Sequence, residues 1–182
     1  MNKDNIFKIT ISIIVCELAG IVGSIFTVSS VRDWYTALNK PGFIPPSWLF
    51  APVWIILFLL MGISLYLVWS KNFAIKNILT FSKGKAWNPL SEKLATGKWQ
   101  KINIILIFWL QLILNILWSV TFFNFRQPGL AFFELLMLWF AILYTIVNFY
   151  RISKPASYLL VVYIIWVTFA GFLNYSLWML NL

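Results

Sequence analysis

The chain contains no histidine and a single cysteine. The commonest general base, metal ligand and haem ligand is therefore missing, and Cys16 has no partner for an internal disulfide. Cys16 lies in an apolar run, where a thiol usually fills packing space; thiolate ligation of a haem or of a lone metal is the minor alternative. No acid–base pair, activated nucleophile or ligand cluster stands out, so no cofactor and no metal are expected. What the sequence offers is amides, carboxyls and indoles at helical spacing within apolar runs. Gln111, Asn115, Trp118 and Phe122 follow i, i+4, i+7, i+11 and share one helical face. Glu134, Ala141, Thr145 and Asn148 share another, and Tyr163, Trp166, Ala170 and Asn174 a third. Glu17 falls on a face with Gly20, Ser24 and Thr27.

Two readings fit these faces. Small residues let helices approach, and Asn, Gln and Thr bond across the contact as interhelical glue. Alternatively, aromatic walls with a few amides line a cavity and orient a ligand. For Gly20, Gly23 and Ser24 the first reading is preferred, and Glu17 and Glu134 are expected neutral or hydrogen-bonded, facing the interior. For Gln111, Asn115, Trp118 and Trp166 the pattern leaves both open. The eleven tryptophans also divide. Trp34, Trp48, Trp69, Trp99 and Trp178 sit near run ends, as interfacial indoles do. Trp54, Trp109, Trp118, Trp139 and Trp166 lie deeper, where the indole N–H needs a partner or a ligand.

The elements that must position these groups follow from composition. Apolar residues make up 62% of the chain and charged residues 10%, against ~25% charged in a soluble domain. Too little polar material exists for a water-facing exterior, so the expected solvent is lipid. Crossing a ~30 Å hydrocarbon core takes about twenty apolar helical residues. Five runs qualify, at 6–28, 48–69, 102–123, 130–150 and 156–180. They are continuously apolar, which excludes the alternation of barrel strands. The expected fold is all-α, a polytopic five-transmembrane-helix bundle forming a single membrane domain over residues 1–182. Ser47 is a candidate cap for the second helix, Pro128-Gly129 parts the third from the fourth, and Lys154-Pro155 opens the fifth. The first run is read as a span and not a cleaved signal: it is too long, and no small-x-small site closes it.

The 14 Lys and Arg residues lie in connectors or near the N-terminus, a topology signal and not the gathered face that nucleic acid requires. Lys3 and Lys8, the seven lysines of the connector 70–101, and Arg151 with Lys154 fall on one side of five spans. Only Arg32, Lys40 and Arg126 fall on the other. The positive-inside rule then puts the N-terminus in the cytoplasm, and the C-terminus and first loop outside the cell membrane.

The first connector, 29–47, is unusual. Residues 34–54 read WYTALNKPGFIPPSWLFAPVW, with prolines that stiffen the backbone and aromatics too numerous for a solvated loop. It reads as a lid over a cavity mouth, or as an interfacial loop lying on lipid. Its WYxxLxKPxFxPP and following PVW resemble the first-loop signature of the translocator protein family, also called tryptophan-rich sensory proteins. The resemblance continues in GxxGSxFT from Gly20, LNxxWSxxFF from Leu114, LAFFE from Leu130 and YxxWVxFAGFLNYxxW from Tyr163. It touches every expected helix.

The resemblance implies a five-helix bundle, usually a homodimer, with a ligand pocket beneath the first loop. Members bind porphyrins and other tetrapyrroles, drug-like aromatic compounds and, in animals, sterols. By position the lining would be Tyr35, Phe43, Pro45 and Trp54 from the lid and second helix. Gln111, Asn115 and Trp118 would come from the third helix, and Trp166 and Ala170 from the fifth. Some members are reported to degrade protoporphyrin in light, with tryptophans matching Trp54 and Trp166 implicated. A role as an interaction or stress-sensing protein acting through a partner is the third possibility. Two features depart from the family pattern. After Leu173-Asn174-Tyr175 no Lys or Arg follows, which removes the sterol motif of animal members. The connector 70–101 is also long; its lysines suit anionic lipid headgroups, a partner, or topology alone.

Overall fold

In lipid every backbone N–H and C=O must be satisfied internally, so continuous apolar runs become helices. The computed structural model describes residues 3–71 and 97–182 and contains five long helices: α1 (Lys3–Arg32), α2 (Phe50–Trp69), α3 (Gly97–Ser119), α4 (Pro128–Ile152) and α5 (Lys154–Leu180). All five are long and apolar enough to cross a membrane. Their outward surface agrees: Ile25 is 64% exposed, Phe140 63% and Phe172 66%, side chains that only lipid would solvate. The protein is a multi-pass membrane protein.

The helices close into a ring in the order α1, α2, α5, α4, α3 and back to α1. Inside it Cys16, Met61, Phe108, Ile142, Leu160 and Tyr163 are wholly buried. Close approach depends on small residues. A Cβ at Gly62 would lie 2.7 Å from the Ile13 Cα and 3.0 Å from the Ser12 carbonyl oxygen, so α1 and α2 touch backbone to backbone. A Cβ at Gly23 would meet the Ser119 hydroxyl at 3.2 Å, which sets α1 against α3. Hydroxyls secure other seams. Ser64 donates to the Ala156 carbonyl at 2.7 Å, and Ser30 to the Phe123 carbonyl at 2.7 Å.

Helix ends differ from the sequence expectation in instructive ways. α1 runs on to Arg32, so the lid expected at 29–47 begins later. It then holds a helical turn at Trp34–Ala37, an extended stretch, and a 3-10 turn at Ser47–Leu49. Ser47 starts that turn and caps nothing with its side chain. α3 ends in a π-helical turn at Val120–Asn124, a widened geometry that often marks functional sites. Arg126 closes the following corner at φ 55°. Most of the connector 70–101, with lysines 76, 83, 85 and 93, lies outside the described residues.

The inward face of α1 also differs. Ser12, Cys16, Gly23 and Ser30 are buried, whereas Ser24 is exposed and returns its hydroxyl to the Ile21 carbonyl. Glu17 is only partly buried. Glu134 is half-buried. Two expected interfacial indoles face outward, with Trp48 70% and Trp69 38% exposed. Trp178 instead packs over Gly129, whose Cβ would stand 2.8 Å from the ring.

Candidate functional site

The site begins with one aromatic face. Successive turns of α2 and α3 place Phe58, Trp54, Trp118 and Phe122 in a ladder. Trp54 lies 5.8 Å from Phe58 and 6.4 Å from Trp118, and Trp118 stacks on Phe122 at 5.4 Å. The π turn carries Phe122 and Phe123 up to the lid, where Trp34 and Tyr35 pack on them. Burial pushes the Tyr35 phenol above its ordinary value, so it stays a neutral hydrogen-bonding group at physiological pH. Lys40 stands 5.2 Å over the Tyr35 ring.

Amides hold this ladder in place. Asn174 on α5 accepts from the Trp118 Nε1 at 3.0 Å and donates to the Pro128 carbonyl at 2.6 Å. The Asn115 amide donates to the Tyr163 hydroxyl. Trp139 reaches Thr168 at 2.9 Å. Three buried polar atoms on the same helix faces of α3 and α5 have no partner: both amide atoms of Gln111 and the indole nitrogen of Trp166. Gln111 is one turn before Asn115 on the same face, and Trp166 one turn before Ala170. Buried polar atoms in folded proteins are nearly always paired. An orphaned donor–acceptor set beside flat rings is therefore suited to meeting the polar edge of an aromatic guest.

Of the nine residues anticipated from sequence, Trp54, Asn115, Trp118 and Ala170 are brought together around one gap. Leu135, Leu138 and Val167 complete its wall. The two leucines on α4 carry no polar signal and were not anticipated. Neither was the bond from Asn174 to Trp118, though Asn174 lies on the anticipated face of α5. Gln111 is fully buried one turn before Asn115, and Trp166 packs edge-on to Phe50 and against Phe169. Tyr35 joins the upper aromatic cluster. Pro45 is half-buried in the loop, and Phe43 is 54% exposed.

The gap itself is closed, at about 10 Å³. That is space for at most one water, against ~300–1,000 Å³ for a small-molecule pocket. At this size the gap has no room for a guest as large as a tetrapyrrole. The loop above is clasped to the end of α5. Asn39 N–H donates to the Asn181 side-chain oxygen at 2.9 Å, and the Asn181 amide returns to the Asn39 carbonyl at 2.9 Å. Among the described residues no three Cys, Asp or Glu side chains gather as metal ligands.

Comparison with known proteins bears on this arrangement. Residues 12–179 match the family model described as the TspO/MBR family. The tryptophan-rich protein TspO of Chlorobaculum tepidum is 38% identical, covering 100% of this chain and 99% of the relative. The protein of the same name from Archaeoglobus fulgidus is 38% identical over 97% of this chain and 99% of its own length. The Bos taurus translocator protein is 35% identical over 91% of this chain and 85% of its own. The matched region spans all five helices and every residue of the aromatic ladder, and on that breadth the chain belongs to the TspO/MBR family.

Proposed function

We propose that this membrane protein is a receptor or transporter-like protein that binds porphyrins and related flat aromatic ligands between α2, α3 and α5, beneath the first loop. The observation that carries this reading is the pairing of the indole ladder with the orphaned polar atoms of Gln111 and Trp166. A conjugated macrocycle stacks on Trp54 and Trp118, while its nitrogens and carboxylates meet the amide and the indole N–H. The closed gap makes binding an opening process, in which part of the affinity is lost to the rearrangement. The proposal includes the cell membrane as location, a cytoplasmic N-terminus, an external first loop and C-terminus, and a homodimer. The lysine and arginine asymmetry supports the orientation; family membership supports the dimer.

The test is tryptophan fluorescence of the folded protein in detergent. Micromolar protoporphyrin is expected to quench it saturably, with weaker affinity in Gln111→Ala and Trp166→Phe. No quenching by a folded sample sinks the reading. A second reading, light-dependent porphyrin breakdown, is favoured by the indole pair at 6.4 Å, which sets two oxidisable rings beside the proposed pigment site. Under illumination a persistent porphyrin spectrum excludes it. Slower bleaching in Trp54→Phe or Trp166→Phe supports it.

A further inference from the structure

A second cavity lies at the opposite end of the bundle, away from the first loop. It measures about 310 Å³ and is walled by α1, α2, α3 and α4. That is within the range of small-molecule pockets and about twice the ~150 Å³ of a dry engineered cavity that takes up benzene. Ile11, Val15, Val68, Ile104 and Phe149 make its wall almost wholly apolar. One polar atom interrupts it. Ser12 is among the lining residues and is 1% exposed, and its buried hydroxyl has no hydrogen-bond partner. A lone buried hydroxyl without a partner is costly in hydrocarbon, and an apolar cavity does not hold water to satisfy it. Its natural partner is a single acceptor on an otherwise apolar guest.

Charge at the mouth narrows the guest further. Lys8, Ile11, Ser12 and Val15 stand at i, i+3, i+4 and i+7, so the strip of α1 that lines the cavity ends in an ammonium. Lys8 precedes Ser12 by about 6 Å along the axis, at ~1.5 Å per residue. This is of the order of the phosphate-to-ester separation in a glycerophospholipid. Lys71 follows α2, with its ammonium on the Ile152 carbonyl at 3.1 Å, and Arg151 is exposed near the end of α4. Against these cations the described part of this end presents one carboxylate, Asp4. Two further lining residues, Trp69 and Trp109, are 38% and 44% exposed, so the cavity reaches the outer surface of the bundle.

We propose that this cavity holds one acyl chain of an anionic glycerophospholipid, with the Ser12 hydroxyl donating to the ester carbonyl and Lys8 opposing the phosphate. The site is separate from the one beneath the first loop and does not depend on it. The experiment uses the full chain in vesicles of phosphatidylcholine containing phosphatidylglycerol with a diazirine on its acyl chain. Photolysis is expected to label the half-buried Val15 and the buried Val68, Ile104 and Phe149 several-fold above the lipid-facing Ile21 and Ile25. Label confined to lipid-facing positions overturns the proposal. Native mass spectrometry from mixed micelles supplies the second arm. Wild type is expected to retain one phosphatidylglycerol at least tenfold more than phosphatidylcholine, and Lys8→Gln to remove most of that preference. Val15→Phe, which fills the cavity, is expected to lose retention at least tenfold while keeping its helical circular dichroism. Equal retention of both lipids by wild type, or retention of oleate in place of phospholipid, also overturns it. Should Val15→Phe not fold, the wild-type labelling pattern decides alone.

Discussion

Asn174 is the residue on which three helices depend, and its replacement by alanine can be worked through in numbers. The side chain is 1% exposed, takes the Trp118 N–H at 3.0 Å and gives its own N–H to the Pro128 carbonyl at 2.6 Å. Interhelical hydrogen bonds in membrane bundles contribute about 0.6 kcal/mol on average and about 1.7 at most. The Pro128 carbonyl still serves its own helix after the change, whereas the Trp118 N–H is left in hydrocarbon. Two lost bonds and one orphaned donor therefore amount to roughly 1–3 kcal/mol of destabilisation. Reversible unfolding in mixed detergent micelles, followed by circular dichroism, measures this. In a double-mutant cycle with Trp118→Phe, the two changes should couple by about 0.6–1.7 kcal/mol, because both remove the same bond. Freed from Asn174, Trp118 also loses its fixed ring plane, so porphyrin quenching should weaken about three- to tenfold. A variant within about 0.5 kcal/mol of wild type, or strict additivity with Trp118→Phe, refutes the reasoning.

Three further outcomes are expected. Gly62→Ala drives a methyl into the α1 backbone, with contacts of 2.7 and 3.0 Å. It should cost about 1–3 kcal/mol in the same unfolding assay. Asn181→Ala removes two bonds of the loop clasp; at about 1 kcal/mol in total for exposed bonds, stopped-flow quenching should show porphyrin binding and release both faster by roughly fivefold. Arg126→Gly relieves a left-handed residue at φ 55°, which costs about 1–2 kcal/mol for an L side chain. Less the ~0.5–1 kcal/mol that glycine loses on ordering, a small net gain in thermal midpoint is expected.

The two halves of this molecule differ in how much of them can be read in one dimension. Five spans follow from the sequence, because crossing a hydrocarbon layer is a matter of length and backbone satisfaction. Their ends were less legible. α1 continues to Arg32 and α3 finishes in a π turn, since neither carries a proline or glycine stop where the apolar run ends. The faces of α3 and α5 were legible because amides and indoles interrupt them at helical spacing. The face of α1 was not. Nearly every residue on it is apolar or small, so no periodicity separates the inward Cys16 and Gly23 from the outward Ser24.

Sequence alone therefore determined that the chain crosses a membrane five times, which end is basic, and which residues on α3 and α5 meet an interior. Tertiary structure decided the rest. Ring closure brings Leu135 and Leu138 of α4 into the group around Trp54 and Trp118, and shrinks the gap there to about 10 Å³. The 310 Å³ cavity at the basic end arises from a packing deficit among four helices. Such a deficit is the difference between the space that helix axes enclose and the volume that their side chains fill, and it belongs to the assembled bundle, not to any one segment.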